Sequence, residues 1–328
     1  MPITKNIARR KYRVGLDLGG SKILALLLDN RGKILGRIKK RTKPELGYSG
    51  LCDRMARVVR NLCTEHDLNP AKDLMGLGMG VPGPVIDDGE KLRCAVNLGW
   101  KVPHPLTKDM SRRLDGLPVC ITNDVNAGAL AEARMGAGRK AHCVYGLFVG
   151  TGLGGGLVID GQVINGFHGL AGEVGHMVAP TLGVAQECSC GQMGCVETLV
   201  SKKGIQHLIL RHARRHRHPL GQAEKLSASD LKDAADAGDA AVLAALEDSM
   251  KTLAWTISVV TCCVDPDVVV LGGGVMTDLG KTLLPMLESS LDTYRFLTKE
   301  RRPRLTLAAL GDDAVALGGS LLLNGVEP

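Results

Sequence analysis

The sequence predicts an α/β protein with two domains, and three observations lead to this prediction. The chain has 328 residues, roughly twice the length of a typical domain. Segments typical of strands and of helices alternate along the chain, which favours central sheets covered by helices. A hairpin with a glycine turn occurs near the N-terminus and again near the middle of the chain, which indicates two related halves.

The individual elements follow from local patterns. Aliphatic and β-branched runs bounded by glycine or asparagine turns predict strands. They lie at 12–18, 23–29, 33–39, 74–81, 119–122, 142–149, 157–159, 268–271 and 304–310. Apolar residues at helical spacing predict helices at 51–64, 125–135, 231–260 (with a break at 237–239) and 314–323. Asn123 or Asp124 is expected to cap the helix that follows them.

The repeated hairpin gives the first indication of a functional residue. Residues 14–29 can be laid on residues 145–160 without a gap, and both segments read as strand, glycine turn, strand and aspartate. Chance similarity between two glycine-rich hairpins is the alternative. Asp17 of the first copy corresponds to Phe148 of the second, so the turn itself does not need the carboxylate. We therefore expect Asp17 to act on a ligand or a metal.

The repeat also predicts the domain organisation. Two related halves would face each other across a cleft, and each would present backbone amides from its glycine turn. We place a smaller α/β domain at 1–122 and a larger one at 123–311. The last helix, at about 312–328, is expected to pack back on the first domain.

Composition and charge exclude several classes of function. Aromatic residues make up 3% of the chain, so stacking on nucleic-acid bases is nearly ruled out. The net charge is 41 − 34 = +7, and the basic residues cluster at 5–13, 211–217 and 295–304; we interpret these clusters as solvated faces. The N-terminal segment lacks the apolar core of a signal peptide, and the aliphatic runs are too short to cross a bilayer. We expect a cytoplasmic protein that binds neither nucleic acid nor membrane.

The first glycine turn is a candidate phosphate-binding site. Its members are Asp17, Gly19, Gly20, Ser21 and Lys22. Glycines let backbone N–H groups point at a phosphate, and the serine and lysine side chains add donors and charge. Asp17 would hold Mg²⁺ directly or through water. The spacing differs from a Walker A loop, and a strand follows where that motif has a helix. The alternative, a hairpin that merely needs glycine, leaves Asp17 unexplained.

The second glycine motif is also a candidate phosphate-binding site. It spans 150–156, and its candidate cofactor residues are Gly150, Thr151, Gly152, Gly154 and Gly155. The segment contains G-x-G-x-x-G, with Glu173 near the position of a ribose-binding acid. A dinucleotide site needs a helix after the glycines, but the residues that follow predict a hairpin. The pattern therefore disfavours a Rossmann oxidoreductase.

Three of the ten cysteines lie within eight residues and indicate a metal site in a reducing compartment. The candidate ligands are His176, Cys188, Cys190 and Cys195. The C-x-C-x₄-C spacing, with glycines between the ligands, suits a knuckle around a small tetrahedral ion. Four protein ligands leave no open position, which predicts a structural zinc. A redox cluster or a local disulfide is the alternative.

Four further polar residues are candidates for binding or catalysis. Asn123 and Asp124 follow a buried strand, where catalytic groups of α/β folds commonly lie. Aspartate is also a common N-cap, so capping and catalysis are both open for Asp124. Glu173 and Glu197 flank the cysteine cluster, and carboxylates accept paired hydrogen bonds from vicinal sugar hydroxyls. Their alternative is an incidental charge in a loop.

Taken in order, these motifs resemble the ROK family, which comprises bacterial repressors and sugar kinases of the actin-like ATPase superfamily. The resemblance covers roughly residues 12–323. Its motifs are DLGGSK, GVPGPV, NLGW, NDVNA, GTGLGGG, GEVGH, CSCGQMGCVE and LGGGV. The cysteine cluster that ends in Glu197 is the most specific of them. The resemblance implies a two-domain actin-like ATPase (ribonuclease H-like) fold with a cleft between the domains and a zinc knuckle at 176–195.

The resemblance also implies roles for these residues. Asp124 would be the general base. The sugar hydroxyls would be bound by Asn97, Asn123, Asp124, Glu173, His176 and Glu197. Residues 19–22 and 151–156 would hold the phosphates of ATP. Gly272, Gly273 and Gly274 would lie near the adenosine. His176 would serve the zinc through one ring nitrogen and the sugar through the other.

The implied activity is ATP-dependent phosphorylation of a hexose, foremost glucose to glucose 6-phosphate. Kinases of N-acetylmannosamine, N-acetylglucosamine or fructose are the alternatives within the family, and a non-catalytic sugar sensor is a further one. The family's repressors carry a DNA-binding segment before the first glycine motif, and 16 residues precede Asp17, too few for such a segment. The expected cofactors are ATP, Mg²⁺ and Zn²⁺, and the expected assembly is a homodimer or a tetramer.

Overall fold

The computed structural model describes residues 10–86, 89–180, 185–213 and 217–325. Parts of two of the three basic clusters (5–9 and 214–216) and of the knuckle segment (181–184) lie outside the described residues, as do 326–328 at the end of the predicted last helix. The chain divides into two units. Unit 1 comprises Met1–Glu132, Val163–Ala171 and Asp312–Pro328, and unit 2 comprises Ala133–Gln162 and Gly172–Gly311. This division keeps 123–132 with unit 1, whereas the sequence pattern suggests a boundary at 122.

Unit 1 is built on a five-stranded sheet with the order β3-β2-β1-β4-β7. Its strands are β1 (Tyr12–Leu18), β2 (Lys22–Asp29), β3 (Ile34–Arg41), β4 (Leu74–Val81) and β7 (Val119–Asn123), with a small hairpin of β5 (Val85–Ile86) and β6 (Lys91–Leu92). The pair β1–β2 is antiparallel, while β1, β4 and β7 are parallel. The carboxyl ends of these three parallel strands therefore share one edge of the sheet.

The helices of unit 1 cover this sheet. They are α1 (Gly47–Thr64), α2 (Pro70–Asp73), α3 (Leu106–Arg113), α4 (Asp124–Met135), which runs into unit 2, and α10 (Ala314–Leu321). Leu51, Met55, Val59 and Leu62 of α1 are fully buried, as their helical spacing predicts. The last helix packs against β1 and β4 through glycines on both sides. A methyl group on Gly15 or Gly78 would overlap a backbone carbonyl of α10.

Unit 2 repeats the arrangement with the order β10-β9-β8-β11-β12. Its strands are β8 (Cys143–Val149), β9 (Leu153–Ile159), β10 (Gln162–Val163), β11 (Val268–Gly272) and β12 (Arg304–Leu307). Its helices are α5 (Glu197–Val200), α6 (Lys202–His212), α7 (Ala228–Asp236), α8 (Ala240–Val264) and α9 (Gly273–Leu291). Antiparallel β8–β9 and parallel β8–β11–β12 match the pairing of unit 1.

The same strand order and pairing in both units agree with the duplication that the hairpin repeat predicts. The gapless overlay of residues 14–29 on 145–160, however, misaligns the second strand of the hairpin by one residue. Leu18 pairs with Ile23 across the first turn, whereas Val149 pairs with Leu153 across the second. The second turn is thus one residue shorter.

Several elements differ from the local prediction. The strand expected at 157–159 begins at Leu153, so the end of the glycine motif, 153–156, forms the first part of β9. The strand expected to reach 310 ends at Leu307. The break at 237–239 is confirmed, because α7 ends before it and α8 begins after it. The pattern missed α9, which opens on two glycines and contains Pro285, both poor helix formers. It also missed α2, α3, α5 and α6.

Each unit has its own apolar core. In unit 1, aliphatic residues of β1, β2, β4, α1 and α3 pack together. In unit 2, those of β8, β11, α6, α8 and α9 form a second cluster. None of the helices within the described residues is both long and apolar enough to cross a membrane.

Candidate active site

The first glycine turn connects β1 to β2 and is closed by the backbone. The N–H of Gly19 donates to the carbonyl of Lys22 at 2.9 Å. Thr42, which is fully buried, braces the turn from the end of β3. Its Oγ1 donates to the carbonyl of Gly19 at 2.6 Å, and its N–H donates to the carbonyl of Ser21 at 3.0 Å. The local sequence pattern does not reveal Thr42, because it lies 20 residues beyond the turn.

Asp17 lies at the carboxyl end of β1 and is 7% exposed. Burial raises the pKa of its carboxyl to about 7, and the negative charges of Asp124 and Asp312 act in the same direction, whereas Lys22 opposes them. The register places Asp17 opposite Gly80, and Gly80 opposite Thr122. Asp17 and the segment after Thr122 therefore lie at the same edge of the sheet.

Asn123 and Asp124 divide two tasks at the junction of β7 and α4. The Asn123 Oδ1 accepts the N–H groups of Val125 at 2.8 Å and Asn126 at 3.3 Å, so Asn123 is the N-cap. Its Nδ2 donates to the carbonyl of Gly83 at 3.3 Å. Asp124 is the first helical residue, and its Oδ1 accepts the N–H of Val125 at 2.9 Å. The N-cap of this helix is therefore mainly Asn123 and not Asp124.

Asn97 and Asp312 also border the first turn. Asn97 is exposed in a short 3-10 helix, Val96–Leu98. A Cβ on Gly20 would lie 3.5 Å from that of Asn97. The Nζ of Lys22 lies 3.1 Å from the Asp312 Oδ2. Unit 1 therefore brings Asn97, Asn123 and Asp124 together with the predicted residues of the first turn. It also adds Asp312, which the motifs did not indicate.

The second glycine turn, between β8 and β9, contains Gly150, Thr151 and Gly152. The N–H of Gly150 donates to the carbonyl of Gly152 at 2.9 Å. Gly154 and Gly155, predicted in the same loop, instead lie in β9, where they pair with Phe148 and Leu147. A methyl group on Gly155 would overlap the carbonyl oxygen of Gly172, so this glycine allows close backbone packing.

The third glycine motif lies directly beside the second turn. Gly272 ends β11, and Gly273 begins α9 with a φ of 82°. A Cβ on Gly273 would lie 2.7 Å from the backbone N and carbonyl C of Val149. Glycine is therefore required for α9 to start against the end of β8. Gly274 has open space around it.

The four predicted metal ligands converge in unit 2. One ligand atom each from His176, Cys188, Cys190 and Cys195 lies within 4.8 Å of the others. The Cys188 Sγ is 3.6 Å from the His176 Nδ1, and the Cys190 and Cys195 Sγ atoms are 3.7 Å apart. Burial raises the pKa of the Cys188 thiol, while the backbone N–H of Gln192 is the main cause that lowers the pKa of Cys190. Three thiols and one imidazole at these separations fit a tetrahedral thiophilic cation.

Glu173, His176 and Glu197 form a polar group beside the metal ligands. The His176 Nε2 lies 4.0 Å from the Glu173 Oε2, so its two ring nitrogens face different partners. Burial raises the pKa of Glu173, and the charge of Glu197 adds to the effect, whereas His176 opposes it. The Oε2 of Glu197 accepts the N–H of Leu153 at 3.0 Å. These carboxylates and the imidazole offer acceptors suited to a polyhydroxylated ligand.

Comparison with known proteins agrees with this assembly of motifs. A family model described as ROK family matches residues 13–326. A glucokinase of Halalkalibacterium halodurans is 32% identical over 97% of this chain and 96% of its own length. An N-acetyl-D-glucosamine kinase of Citrobacter koseri is 32% identical over 94% of this chain and 98% of its own length.

A solved structure shows the same fold. It is a ROK family glucokinase from Streptomyces griseus in complex with glucose and AMPPNP, with a TM-score of 0.77 and 28% identity, covering 95% of this chain and 98% of that one. The fold is therefore the two-unit α/β fold of the actin-like sugar kinases, as the motifs predict. The family match spans nearly the whole chain, and the glycine turns, the aspartates and the cysteine cluster lie within it. The chain belongs to the ROK family.

Proposed function

We propose that this protein is an ATP-dependent hexose kinase that converts glucose to glucose 6-phosphate. The observation that carries the proposal is the arrangement at the carboxyl edge of the unit 1 sheet. Asn123 caps α4, which places the Asp124 carboxylate beside the buried Asp17 and near the first glycine turn. A carboxylate next to a phosphate-binding turn and a candidate Mg²⁺ ligand suits phosphoryl transfer.

In the proposed reaction, Asp124 accepts the proton of the sugar 6-hydroxyl. The hydroxyl oxygen bonds to the γ-phosphorus of ATP, the bond to the β,γ-bridging oxygen breaks, and ADP leaves. Asp17 would hold Mg²⁺, which would supply charge that neutralises the phosphates. The first glycine turn with Lys22 and the turn at Gly150–Gly152 hold the phosphates, and Gly272–Gly274 take a position near the nucleoside.

Sugar recognition is assigned to carboxylate, amide and imidazole groups. The proposed contacts to sugar hydroxyls are Asn97, Asn123, Asp124, Glu173, His176 and Glu197. We propose that the four ligands bind Zn²⁺, with His176 as a ligand through Nδ1, which would leave Nε2 to a sugar hydroxyl. The proposal includes a homodimer in the cytoplasm, which light scattering and cell fractionation test.

The deciding experiment measures ADP release with Mg-ATP against glucose, mannose, fructose, N-acetylmannosamine and N-acetylglucosamine. We expect glucose to have the highest kcat/KM. The Citrobacter koseri relative favours N-acetylglucosamine as the second candidate, and a higher kcat/KM for that sugar would replace glucose while keeping the mechanism. Inactivity with every sugar, from folded metal-loaded protein, would indicate a sugar sensor.

The role of Asp124 has its own test. Asp124→Ala and Asp124→Asn should lower kcat by about 10²–10⁴, the usual contribution of a general base, with sugar binding largely retained. Asp29→Asn, at the far end of β2, is the acid-to-amide control and should leave kcat unchanged. An Asp124 variant that retains kcat would remove this residue as the base.

A further inference from the structure

Glu197 contacts two separate parts of unit 2. Its Oε2 accepts the backbone N–H of Leu153 at 3.0 Å, at the start of β9. Its Oε1 lies 3.5 Å from the Ser189 Oγ and 3.6 Å from the Cys188 Sγ, both in the segment that carries the metal ligands. One carboxylate thus joins the metal-binding segment to the glycine turn Gly150–Gly152.

Backbone packing shows how closely Glu197 fits this turn. A methyl group on Gly152 would overlap the Glu197 Oε2 and lie 3.2 Å from its carboxyl carbon. The absence of a side chain at Gly152 therefore makes room for the carboxylate. The N–H of Lys202 donates to the carbonyl of Gly150 at 3.0 Å. The turn is thus held at both ends by residues at the start of α5 and of α6.

The negative charge of Glu197 indicates that its contact with the turn Gly150–Gly152 is structural. A carboxylate beside a turn that binds phosphate repels the ligand, so a phosphate-binding turn gains nothing from the charge itself. The hydrogen bond to the N–H of Leu153 and the packing on Gly152 instead fix the backbone of the turn. Fixed backbone N–H groups bind an anion without the entropy loss of ordering a flexible loop.

We propose that Glu197 is a positioning residue for the nucleotide turn, in addition to any contact with the sugar. Through it, the metal-binding segment holds Gly150–Gly152 in the conformation that binds the phosphates of ATP. This proposal rests on the proposed function, which assigns phosphate binding to the turn. It predicts that nucleotide affinity depends on the hydrogen-bond acceptor at residue 197 and not on its charge.

The binding test compares Glu197→Ala with Glu197→Gln by calorimetry of Mg-ATP without sugar. Loss of this partly buried hydrogen bond should weaken nucleotide binding about tenfold in Glu197→Ala. Glu197→Gln keeps an acceptor for the Leu153 N–H and should bind Mg-ATP within about twofold of the native protein, since it also loses the repulsive charge. Glu224→Ala, at an exposed glutamate between α6 and α7, is the control and should bind as the native protein does. Equal weakening in the Ala and Gln variants, or none in Glu197→Ala, would overturn the proposal.

Hydrogen exchange tests the contact without any ligand. The amide of Leu153 should exchange faster in Glu197→Ala and at the native rate in Glu197→Gln, whether or not the protein phosphorylates a sugar. An unchanged rate in Glu197→Ala refutes the positioning role, whereas absent kinase activity with the expected exchange rates refutes only the proposed function. Gly152→Ala displaces the carboxylate while keeping every side chain of the metal-binding segment. With the metal retained, it should also speed exchange of the Leu153 amide, and an unchanged rate in Gly152→Ala would overturn the proposal if Glu197→Ala loses its metal or fails to fold.

Discussion

At the scale of single residues, the buried Asp17 carboxyl responds most directly to its surroundings. Burial outweighs the nearby Lys22 and raises its pKa from 3.8 to about 7. The folded protein therefore binds a proton more tightly than the unfolded chain between about pH 4 and pH 7. Between these pH values the free energy of unfolding falls as the pH rises. Above pH 7 the Asp17 carboxyl is charged, and the full cost of burying that charge remains.

Asp17→Asn should remove this pH dependence, because the amide stays neutral at every pH. We expect the free energy of unfolding of the variant to exceed that of the native protein by about 2–4 kcal/mol at pH 8 in buffer without Mg²⁺, and to match it near pH 4. Urea unfolding across this pH range measures the difference. Parallel curves for the two proteins would show that Asp17 titrates normally.

Asn123 and Asp124 show how neighbours in the chain can take different tasks. Amides and carboxylates are both good caps, so the sequence leaves the assignment open. Asn123 accepts two N–H groups of the first helical turn, while Asp124 occupies the first helical position. The amide thus satisfies the helix end, and the carboxylate is left to chemistry.

At the scale of elements, α10 owes its position to glycines. Gly15 and Gly78 lie opposite backbone carbonyls of Ala316 and Gly319, and Gly318 lies opposite that of Ala127 in α4. Such close backbone contact leaves no room for a Cβ, because packed interiors cannot yield at backbone atoms. These contacts hold the last helix on the unit 1 sheet.

Gly78→Ala should therefore destabilise the protein by about 2–4 kcal/mol, since the new methyl group must displace α10. Gly274→Ala is the matched control. It lies in a helix with open space around it, and alanine should leave stability equal or up to about 1 kcal/mol higher. Thermal unfolding compares them, and equal midpoints for the two variants would contradict this account.

The metal-binding segment at 176–195 is a second element of interest, and its described residues form little regular secondary structure. Its backbone pairs in the isolated bridges Val178–Cys195 and Glu187–Met193, a small amount of regular structure. A bound cation would therefore contribute much of its stability.

Cys190→Ser should lower the bound zinc, the midpoint of thermal unfolding and the affinity for sugar together, because a serine hydroxyl is a poor zinc ligand. Cys262→Ser is the control, as Cys262 is exposed in α8 and outside the cluster. Metal analysis by mass spectrometry gives the content of the native protein and both variants. A native protein without zinc would refute the assignment of the metal.

At the scale of the whole molecule, one sheet topology occurs twice. The order of unit 1 and the order of unit 2 correspond strand by strand, from the glycine hairpin to the last parallel strand. Each unit buries its own aliphatic cluster. Two cores of this kind can open separately, since local stability follows local packing.

Core truncations should therefore act on one unit more than on the other. Leu62→Ala in α1 and Leu283→Ala in α9, both fully buried, should each cost about 2–5 kcal/mol. Hydrogen exchange should show lost protection mainly in unit 1 for the first variant and mainly in unit 2 for the second. Equal loss in both units would mean that the chain unfolds as one cooperative body.

The sequence by itself determined the features that depend on neighbouring residues. The hairpins, most strands, the break before α8 and the group of four metal ligands all follow from local spacing, because turn glycines and ligand intervals act over a few residues. The order of the motifs also identified the family. The sequence also revealed the duplication, since both hairpins need glycine in their turns.

Only the tertiary structure decided which of these residues meet. It showed that the second turn is shorter, that Gly154 and Gly155 pair within β9, and that Asn123 takes the cap. It also brought Glu197 to the N–H of Leu153, 44 residues away in the chain. Contacts between distant segments arise from the packing of helices on sheets, and no local pattern records them, because each partner satisfies its own local preferences equally well without the other.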